Sequence, residues 1–343
     1  MEKPKYTKFS LNRSKEEASN IYNLRINDAL DIYKRYSDNF TSRKCPICGN
    51  DSFHDLEKFY NTYNVAKCNV CSSSYVNPCP SEEALSDYYN NSPCNEAVGA
   101  LLVTRVRKKG SPVSDKVLEV VQIIENFLIE NDSVSILEIA CNSGFFLSDL
   151  KEELIERNLF DRVTIMGIDV DAGAINNAVD KSIMLKAISA EDFLKNNKKQ
   201  FDLVIHFELI EHLPDPSKFA SEVHSLLNPG GIHYFHTPNG NGFENIAVGY
   251  NVERPIAHAV FPPMHLNVFT LENVVHFALR HGFKVENIQT PGKLDVDIVR
   301  ESEDNIDNEF SFIKDFSEEH LAIVQLWLTK LKASSHMRVT LRK

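Results

Sequence analysis

From Val134 onward the chain alternates short apolar, β-branched runs with amphipathic helical stretches, a texture that an α/β sheet explains more economically than any other layer arrangement. The expected strands are 134–140, 163–168, 183–188, 201–206, 232–236, 283–289 and 337–342, seven in all. Between them the helical pattern covers 145–157, 171–179, 216–227 and 271–280, the last opened by Thr270 as a cap and closed by Gly282. Upstream, a strongly apolar helix is expected at about 114–130 and a short one at 81–90 capped by Ser81. A docking helix at about 16–36 would place Ile21, Leu24, Leu30 and Tyr33 on one face. Near the other end, an acidic stretch, 300–319, reads as a solvated face and precedes an amphipathic helix, 320–332.

Shifts in texture divide the chain into a helical extension, 1–40, a small Cys-, Asn-, Ser- and Pro-rich module, 41–95, and a linker plus helix, 96–130. The linker includes the basic run Arg105–Pro112, and a main domain follows at 131–343 with a helical insertion at about 293–333. The small module carries Cys45-Pro-Ile-Cys48-Gly49 and Cys68-Asn-Val-Cys71, two C-x-x-C knuckles with 19 residues between them. Each pair can bite one ion from a tight turn, and four thiolates complete a tetrahedral zinc with no open position. Cys45, Cys48, Cys68 and Cys71 are therefore read as ligands of a structural Zn²⁺, and Cys79, Cys94 and Cys141 as small apolar fillers.

The formal charge of −11 and the lack of a basic, aromatic-rich stripe argue against a nucleic-acid partner. No run approaches a membrane span, and the start MEKPKYTKFS has no apolar core of the signal-peptide kind, so a cytoplasmic location is expected.

The run Ile136-Leu-Glu138-Ile-Ala140-Cys-Asn142-Ser-Gly144-Phe145 passes from an apolar strand through small residues straight into a helix. That is the architecture of a nucleotide-type cofactor site at the carboxyl edge of a parallel sheet. A dinucleotide would want G-x-G-x-x-G, of which only Gly144 is present. The next strand ends in Gly167-Ile168-Asp169-Val170-Asp171, where an acidic residue can accept both ribose hydroxyls of an adenosine cofactor.

Taken in order, "LEIACNSGFF", "GIDVD", "AEDF", "FDLVIHFELIEHLPDP", "LLNPGG", "HLNVFT" and "GFKV" resemble the class I S-adenosylmethionine-dependent methyltransferases over about 131–343. The N-terminal "CPICGN…KCNVC…YVNPCPSEEALSDYY" is similar to the zinc-binding module fused to many bacterial methyltransferases of sugar and polysaccharide pathways. The resemblance implies a Rossmann-like α/β fold, a seven-stranded sheet ordered 3-2-1-4-5-7-6, with a small N-terminal zinc-ribbon module. It implies methyl transfer from S-adenosyl-L-methionine to a small-molecule acceptor, a sugar or nucleotide-sugar, and leaves a homodimer open. Its rivals are an RNA-base methyltransferase and a catalytically degenerate fold acting as a binding subunit.

Carried over residue by residue, the resemblance has Glu138, Ala140, Asn142 and Gly144 wrapping the methionine part and Asp169 holding the ribose beside Val170. Ala190 and Glu191 lie along the adenine, and His206 and Phe207 close the pocket. Ala140 and Asn142 replace family glycines; asparagine tolerates a left-handed backbone and alanine does not, so the loop is expected to keep a negative φ at position 140.

Methyl transfer from a sulfonium needs alignment of the acceptor and, for a hydroxyl or acidic C–H, a base. Histidine is the natural base near neutral pH, and the candidates are His206, His212, His233, His236, His258 and His265. His265, within Met264-His-Leu-Asn-Val-Phe-Thr270, resembles the histidine base in the "E-H-L-x-Y-F-S" segment of sugar C-methyltransferases, with Met264 in place of the glutamate. His212 is expected to fix its loop or take part directly, Glu208 to face the acceptor, His233 and His236 to sit in the core, and His258 on a pocket loop. The segments 290–297 and 334–337 are further candidates to line the acceptor site.

Overall fold

In the computed structural model, which describes residues 15–97, 113–197, 199–248, 259–301 and 308–343, the two cysteine knuckles face each other across a small antiparallel sheet. Helix α1 (Lys15–Tyr36) precedes strands β1 (Phe53–Phe59), β2 (Tyr63–Cys68) and β3 (Ser74–Val76), and α2 (Glu82–Asn91) follows, capped by the Ser81 hydroxyl as expected. The knuckles are matching turns: Gly49 N–H donates to the Cys45 carbonyl at 2.8 Å and Ser72 N–H to that of Cys68 at 3.1 Å. Gly49 has φ +76°, the left-handed conformation that Ser72 (φ +56°) takes in the second knuckle, and glycine takes it without the strain a side chain bears. On α1, Ile21, Ala29 and Ile32 are buried while Leu24, Leu30 and Tyr33 are half-buried, so the docking face is rotated slightly from the expected one.

The second sheet has seven strands: β4 (Val134–Ile139), β5 (Val163–Asp169), β6 (Met184–Ala187), β7 (Phe201–Phe207), β8 (Leu227–Pro238), β9 (Lys284–Gln289) and β10 (His336–Arg342). Their order is β6-β5-β4-β7-β8-β10-β9, with β10 antiparallel to both neighbours, which is the expected 3-2-1-4-5-7-6 arrangement. Strand order reverses beside β4, and in a sheet of this kind the crevice outside the carboxyl ends at that point is where ligands bind.

Helices α3 (Asp115–Glu130) and α4 (Phe145–Glu156) cover one face, packing Val117, Val121, Leu147 and Leu150 on Ile136, Leu203 and Ile205. After the short α5 (Ala172–Asn176) and α6 (Ala190–Asn196), α7 (Pro216–Leu226) covers the other face, followed in sequence by α8 (Phe243–Val248) and α9 (Leu271–Arg280). There Phe219, Val223, Phe277 and Phe283 meet Leu137, Val204, Phe235 and Val339, and Cys45, Ile47, Ala66 and Tyr75 of the cysteine module belong to the same buried cluster. Beyond β9 come α10 (Asp295–Glu301), a 3₁₀ turn (Asn308–Asp315) and α11 (Glu318–Lys330).

The cysteine module is stitched to the large sheet by backbone pairing. Val76 N–H donates to Leu266 O and Val268 N–H to Ser74 O, both at 2.9 Å, so β3 continues into the segment that carries His265. Arg43 fastens the seam: its guanidinium donates to the carbonyls of Val76 (3.2 Å), Pro214 (2.6 Å) and Leu266 (2.9 Å). No helix among the described residues is long and apolar enough to cross a membrane. The basic run 105–112 and His258 lie outside the described residues.

Candidate active site

Three residues in the turn after β4 are left-handed, Ala140 (φ +59°), Asn142 (φ +51°) and Gly144 (φ +76°), the last being the N-cap of α4. The negative φ expected at Ala140 is therefore corrected: the turn keeps its glycine-like course and alanine bears the strain of Cβ against its carbonyl. Ala140→Gly is expected to raise stability by about 1 kcal/mol, hence the thermal midpoint by ~2 °C. Calorimetric unfolding measures it, and an unchanged or lowered midpoint would count against a left-handed Ala140.

Asp169, at the end of β5, closes the same turn. One carboxylate oxygen accepts from Asn142 N–H at 2.7 Å and the other from Asp171 N–H at 2.8 Å, which fixes the group at the crevice with lone pairs to spare. Glu138 is buried and its Oε2 has no hydrogen-bond partner. Burial pushes this carboxyl well above the usual carboxylate range, opposed by the Lys116 ammonium. Gly144 and Gly167 have no room for a side chain: a Cβ would stand 2.9 Å from Leu185 Cδ1 at the first and 2.7 Å from Cys141 Sγ at the second.

Val170 is 78% exposed beside Asp169. Ala190 opens α6, and Glu191 next to it is exposed and ion-paired to Lys218 at 2.6 Å. Phe207 meets Phe146 edge-on at 4.7 Å and lies beneath the Lys116 ammonium at 4.5 Å. His206 departs from the group: its side chain is fully buried on the opposite face, stacked on Phe235, with Nε2 2.9 Å from Nε2 of His233. Burial holds both imidazoles neutral, His233 down at about 3, so one ring donates to the other as a core pair.

The acceptor side grows from the segment after β7. Glu208 is left-handed (φ +49°), and its carboxylate meets His336 Nε2, at the start of β10, at 3.4 Å. A 3₁₀ turn, Ile210–His212, then buries Glu211, whose Oε2 accepts from Thr237 Oγ1 at 3.0 Å while Oε1 has no hydrogen-bond partner. The Glu211 carbonyl accepts from Leu266 N–H (2.8 Å) and Asn267 N–H (3.1 Å), tying this turn to the segment behind His265. His212 and His265 stand edge to face with centroids 4.7 Å apart, and Nδ1 of His212 lies 3.1 Å from the Tyr89 hydroxyl of α2. Burial pushes His212 down to about 4.

The structure thus brings the candidates His212, His265 and Glu208 to one edge of the sheet. It adds Tyr89, Glu211, Lys116, Glu244 and His336, to which the sequence had attached no role in the chemistry. Tyr89 and Lys116 arrive on helices remote in sequence, and Glu244 lies in an Asn- and Gly-rich stretch without periodicity. Only His336 carried a signal, as part of the segment 334–337 that begins the last strand and was a candidate to line the acceptor site. His236 is buried as expected, its Nε2 2.8 Å from the Tyr234 hydroxyl.

Cys45, Cys48, Cys68 and Cys71 gather their sulfurs within 4.8 Å of one another, with Cys45–Cys71 and Cys48–Cys68 both at 3.5 Å. Four thiolates about 2.3 Å from a tetrahedral zinc stand ~3.8 Å apart, so the cage has the size of that ion. Hydrogen bonding from Cys45, reinforced by Ser73, already draws the Cys71 thiol down to about 4. None of the seven cysteines is in a disulfide, and Cys79, Cys94 and Cys141 are buried.

Residues 112–288 match the family described as Methyltransferase domain. Ubiquinone biosynthesis O-methyltransferases from Pseudomonas syringae pv. tomato and Thiobacillus denitrificans are 31% and 30% identical over 112 residues, 31% of this chain and 45% of each relative. The chain therefore spans about half the length of the curated relatives it matches. Among solved structures, the plantazolicin methyltransferase BamL in complex with a triazolic desmethylPZN analog and SAH is 15% identical and aligns with 76% of this chain and 94% of its own at a TM-score of 0.47. With a match spanning more than half its length, the chain belongs to the methyltransferase domain family.

Proposed function

We propose that this protein transfers the methyl group of S-adenosylmethionine to a small-molecule acceptor, and that its four-cysteine cage holds a structural zinc. The observation that carries the first reading is the crevice at β4, where a left-handed turn, the fixed Asp169 carboxylate and the unpartnered Glu138 oxygen stand together. Asp169 has acceptor capacity left for two ribose hydroxyls, and Glu138 lacks the donor that a methionine ammonium would provide. The bound cofactor supplies a methyl carbon on a positively charged sulfur, an electrophile that needs no further activation. The protein's share is to orient the acceptor, exclude water and receive a proton.

The names of the curated relatives favour oxygen as the methylated atom. We assign the acceptor to the polar class, a sugar or nucleotide-sugar, because the cleft edge presents Glu208, His336, Lys116 and the Tyr89 hydroxyl rather than an apolar slot. Adenine would lie against Val170 and Ala190. Glu191 faces Lys218, so its part there is through the backbone.

Calorimetric titration of the zinc-loaded protein with S-adenosylmethionine, and separately with its demethylated product, tests the reading. Micromolar binding of either is the expected result. No binding up to millimolar concentration would overturn it in favour of a degenerate fold serving as a binding subunit.

A further inference from the structure

His336 is unlike the other histidines of the acceptor side. His212, His236 and His265 are confined by rings and backbone, whereas the His336 side chain is 50% exposed and ion-paired to Glu208, itself 40% exposed. Both stand at the carboxyl edge of the sheet. Glu208 lies one residue past β7, and His336 opens β10 opposite Pro238, the last residue of β8.

The support beneath His336 is built to hold it still. Ser335 N–H donates to Asp295 at 2.6 Å, the Ser335 carbonyl accepts from Asn239 N–H at 2.6 Å, and the Ser334 carbonyl accepts from the Asn239 amide at 2.9 Å. Asp295 is in turn held by Gln325 at 2.7 Å. A Cβ on Gly242 would stand 2.3 Å from the Ser335 Cα, so the chain after β8 passes directly against this peptide. Glu208 takes up a left-handed backbone to present its carboxylate here, a strain that a solvated glutamate would have no reason to keep.

Building on the methyltransferase reading, we propose that the Glu208–His336 pair is the proton acceptor of the transfer, with His336 as the catalytic base and Glu208 fixing its ring. Nε2 faces the carboxylate, which leaves Nδ1 for the acceptor hydroxyl. As the acceptor oxygen forms its bond to the methyl carbon, its proton passes to Nδ1 and the carbon–sulfur bond breaks with its electron pair left on sulfur. Charge is conserved: one positive charge disappears from sulfur and one appears on the imidazole beside Glu208.

This arrangement also couples the base to the cofactor. In the free protein, desolvation works against an imidazolium at 336, but the Glu208 carboxylate, held below its usual range by the pair, outweighs it and lifts His336 to about 9. Glu244, pushed up to about 8 by burial, and Glu211 add to this only as they ionise. The other groups around the pair are His236 on β8, Lys116 on α3 and His212 in the 3₁₀ turn, with Asp295 acting on Glu244. A sulfonium entering the same cleft repels the imidazolium and lowers its proton affinity, so the methyl donor raises the share of the base that is neutral and competent. The demethylated product carries no such charge.

The test needs no acceptor. Binding of S-adenosylmethionine and of its demethylated product is titrated from pH 6.5 to 9.5 in buffers of different ionisation heat, for the wild type and for His336→Gln. For the wild type, affinity for S-adenosylmethionine should rise roughly tenfold over this range beyond that of the variant, with a proton released on binding, while the product shows no such difference. Comparing the two proteins cancels titration of the ligand's own amine, and Glu208→Gln should move the rise to lower pH. Equal pH profiles in wild type and His336→Gln would overturn the base assignment alone. Failure of both ligands to bind either protein at any pH would overturn the methyltransferase reading and this assignment with it. An NMR titration of the ring in the folded wild type supplies a second readout: a pKa unmoved by S-adenosylmethionine rejects the coupling.

Discussion

Replacing Cys45 and Cys48 together by serine is expected to lower the bound zinc from about one ion per chain to none and to loosen the acceptor side of the cleft, while the parallel sheet stays folded. A four-thiolate site has no affinity to spare once two ligands are gone, and structural zinc contributes apparent binding free energies of about 10–16 kcal/mol in small modules of this type. The consequence reaches beyond the module because its knuckles are fastened to α7 and α9 and its last strand to the segment that carries His265. The Ile47 carbonyl accepts from Arg280 at 3.1 Å and that of Pro46 from Ser217 at 2.8 Å. Cys71 Sγ lies 2.9 Å from the Ser73 hydroxyl, which accepts from Asn273 at 3.0 Å inside the capping box of α9. With β3 released, Leu266 and Val268 lose their backbone partners on that side, and the turn at Glu211 depends on the same segment.

Metal analysis and hydrogen exchange check the two halves separately. Amides of 209–213 and 259–269 should exchange at least ~10-fold faster in the double variant, and those of β4 and β5 should be little changed. Intact metal content would sink the zinc assignment. Unchanged exchange in a metal-free variant would show that the module is an appendage.

The legibility of this chain follows what each element is buried against. β4, β5 and β7, buried inside the sheet, read as near-continuous apolar runs and β10 as an alternating one, and these strands together with β6 and β9 fall within a residue of their expected ends. β8 starts at Leu227 rather than 232 because Leu227 already pairs with Phe201 of β7, and the Asn-Pro-Gly-Gly that follows bulges out of register, without an apolar signature, before pairing resumes at Ile232. The helix expected at 171–179 contracts to Ala172–Asn176, where the Asp171 side chain caps it and two asparagines with a glycine offer little helical propensity. Helix α8 is not anticipated in the sequence, and α10 only as part of the helical insertion at about 293–333, because both are held by a cluster assembled from remote parts, Ala247, Val248, Val296, Val299, Ile313 and Leu321.

The site divides in the same way. Cys45, Cys48, Cys68, Cys71 and Asp169 sit in motifs whose spacing implies their neighbours. The sign of φ at Ala140 was misjudged because side-chain preference was weighed without the rest of the turn, in which Asp169 holds Asn142 and α4 begins at once. His206 is placed by position in a motif, whereas strand alternation within β7 sends its ring to the opposite face from Phe207. Tyr89 and Glu244 meet the candidate site only through tertiary structure, whereas His336 lies in a segment, 334–337, already expected to line it.

Asp169→Ala is expected to weaken binding of S-adenosylmethionine and of its demethylated product by about 30-fold or more, and by the same factor for both. The carboxylate has two tasks. It holds the Asn142 and Asp171 amides, and at the crevice it is the acceptor available for a ribose. Charge-assisted hydrogen bonds contribute about 1.5–3 kcal/mol each, so losing those to the ribose alone corresponds to tenfold or more, and release of the Asn142 amide adds disorder in a turn that already carries strain at Ala140. Asp169→Asn keeps the shape and one acceptor oxygen but swaps the other for a donor, and should fall between the two. Equal loss for both ligands separates this residue from the base pair: ribose contacts are blind to charge on sulfur, whereas His336 is sensitive to it. Calorimetric dissociation constants decide the matter, and a value within twofold of the wild type would place the ribose elsewhere in the crevice.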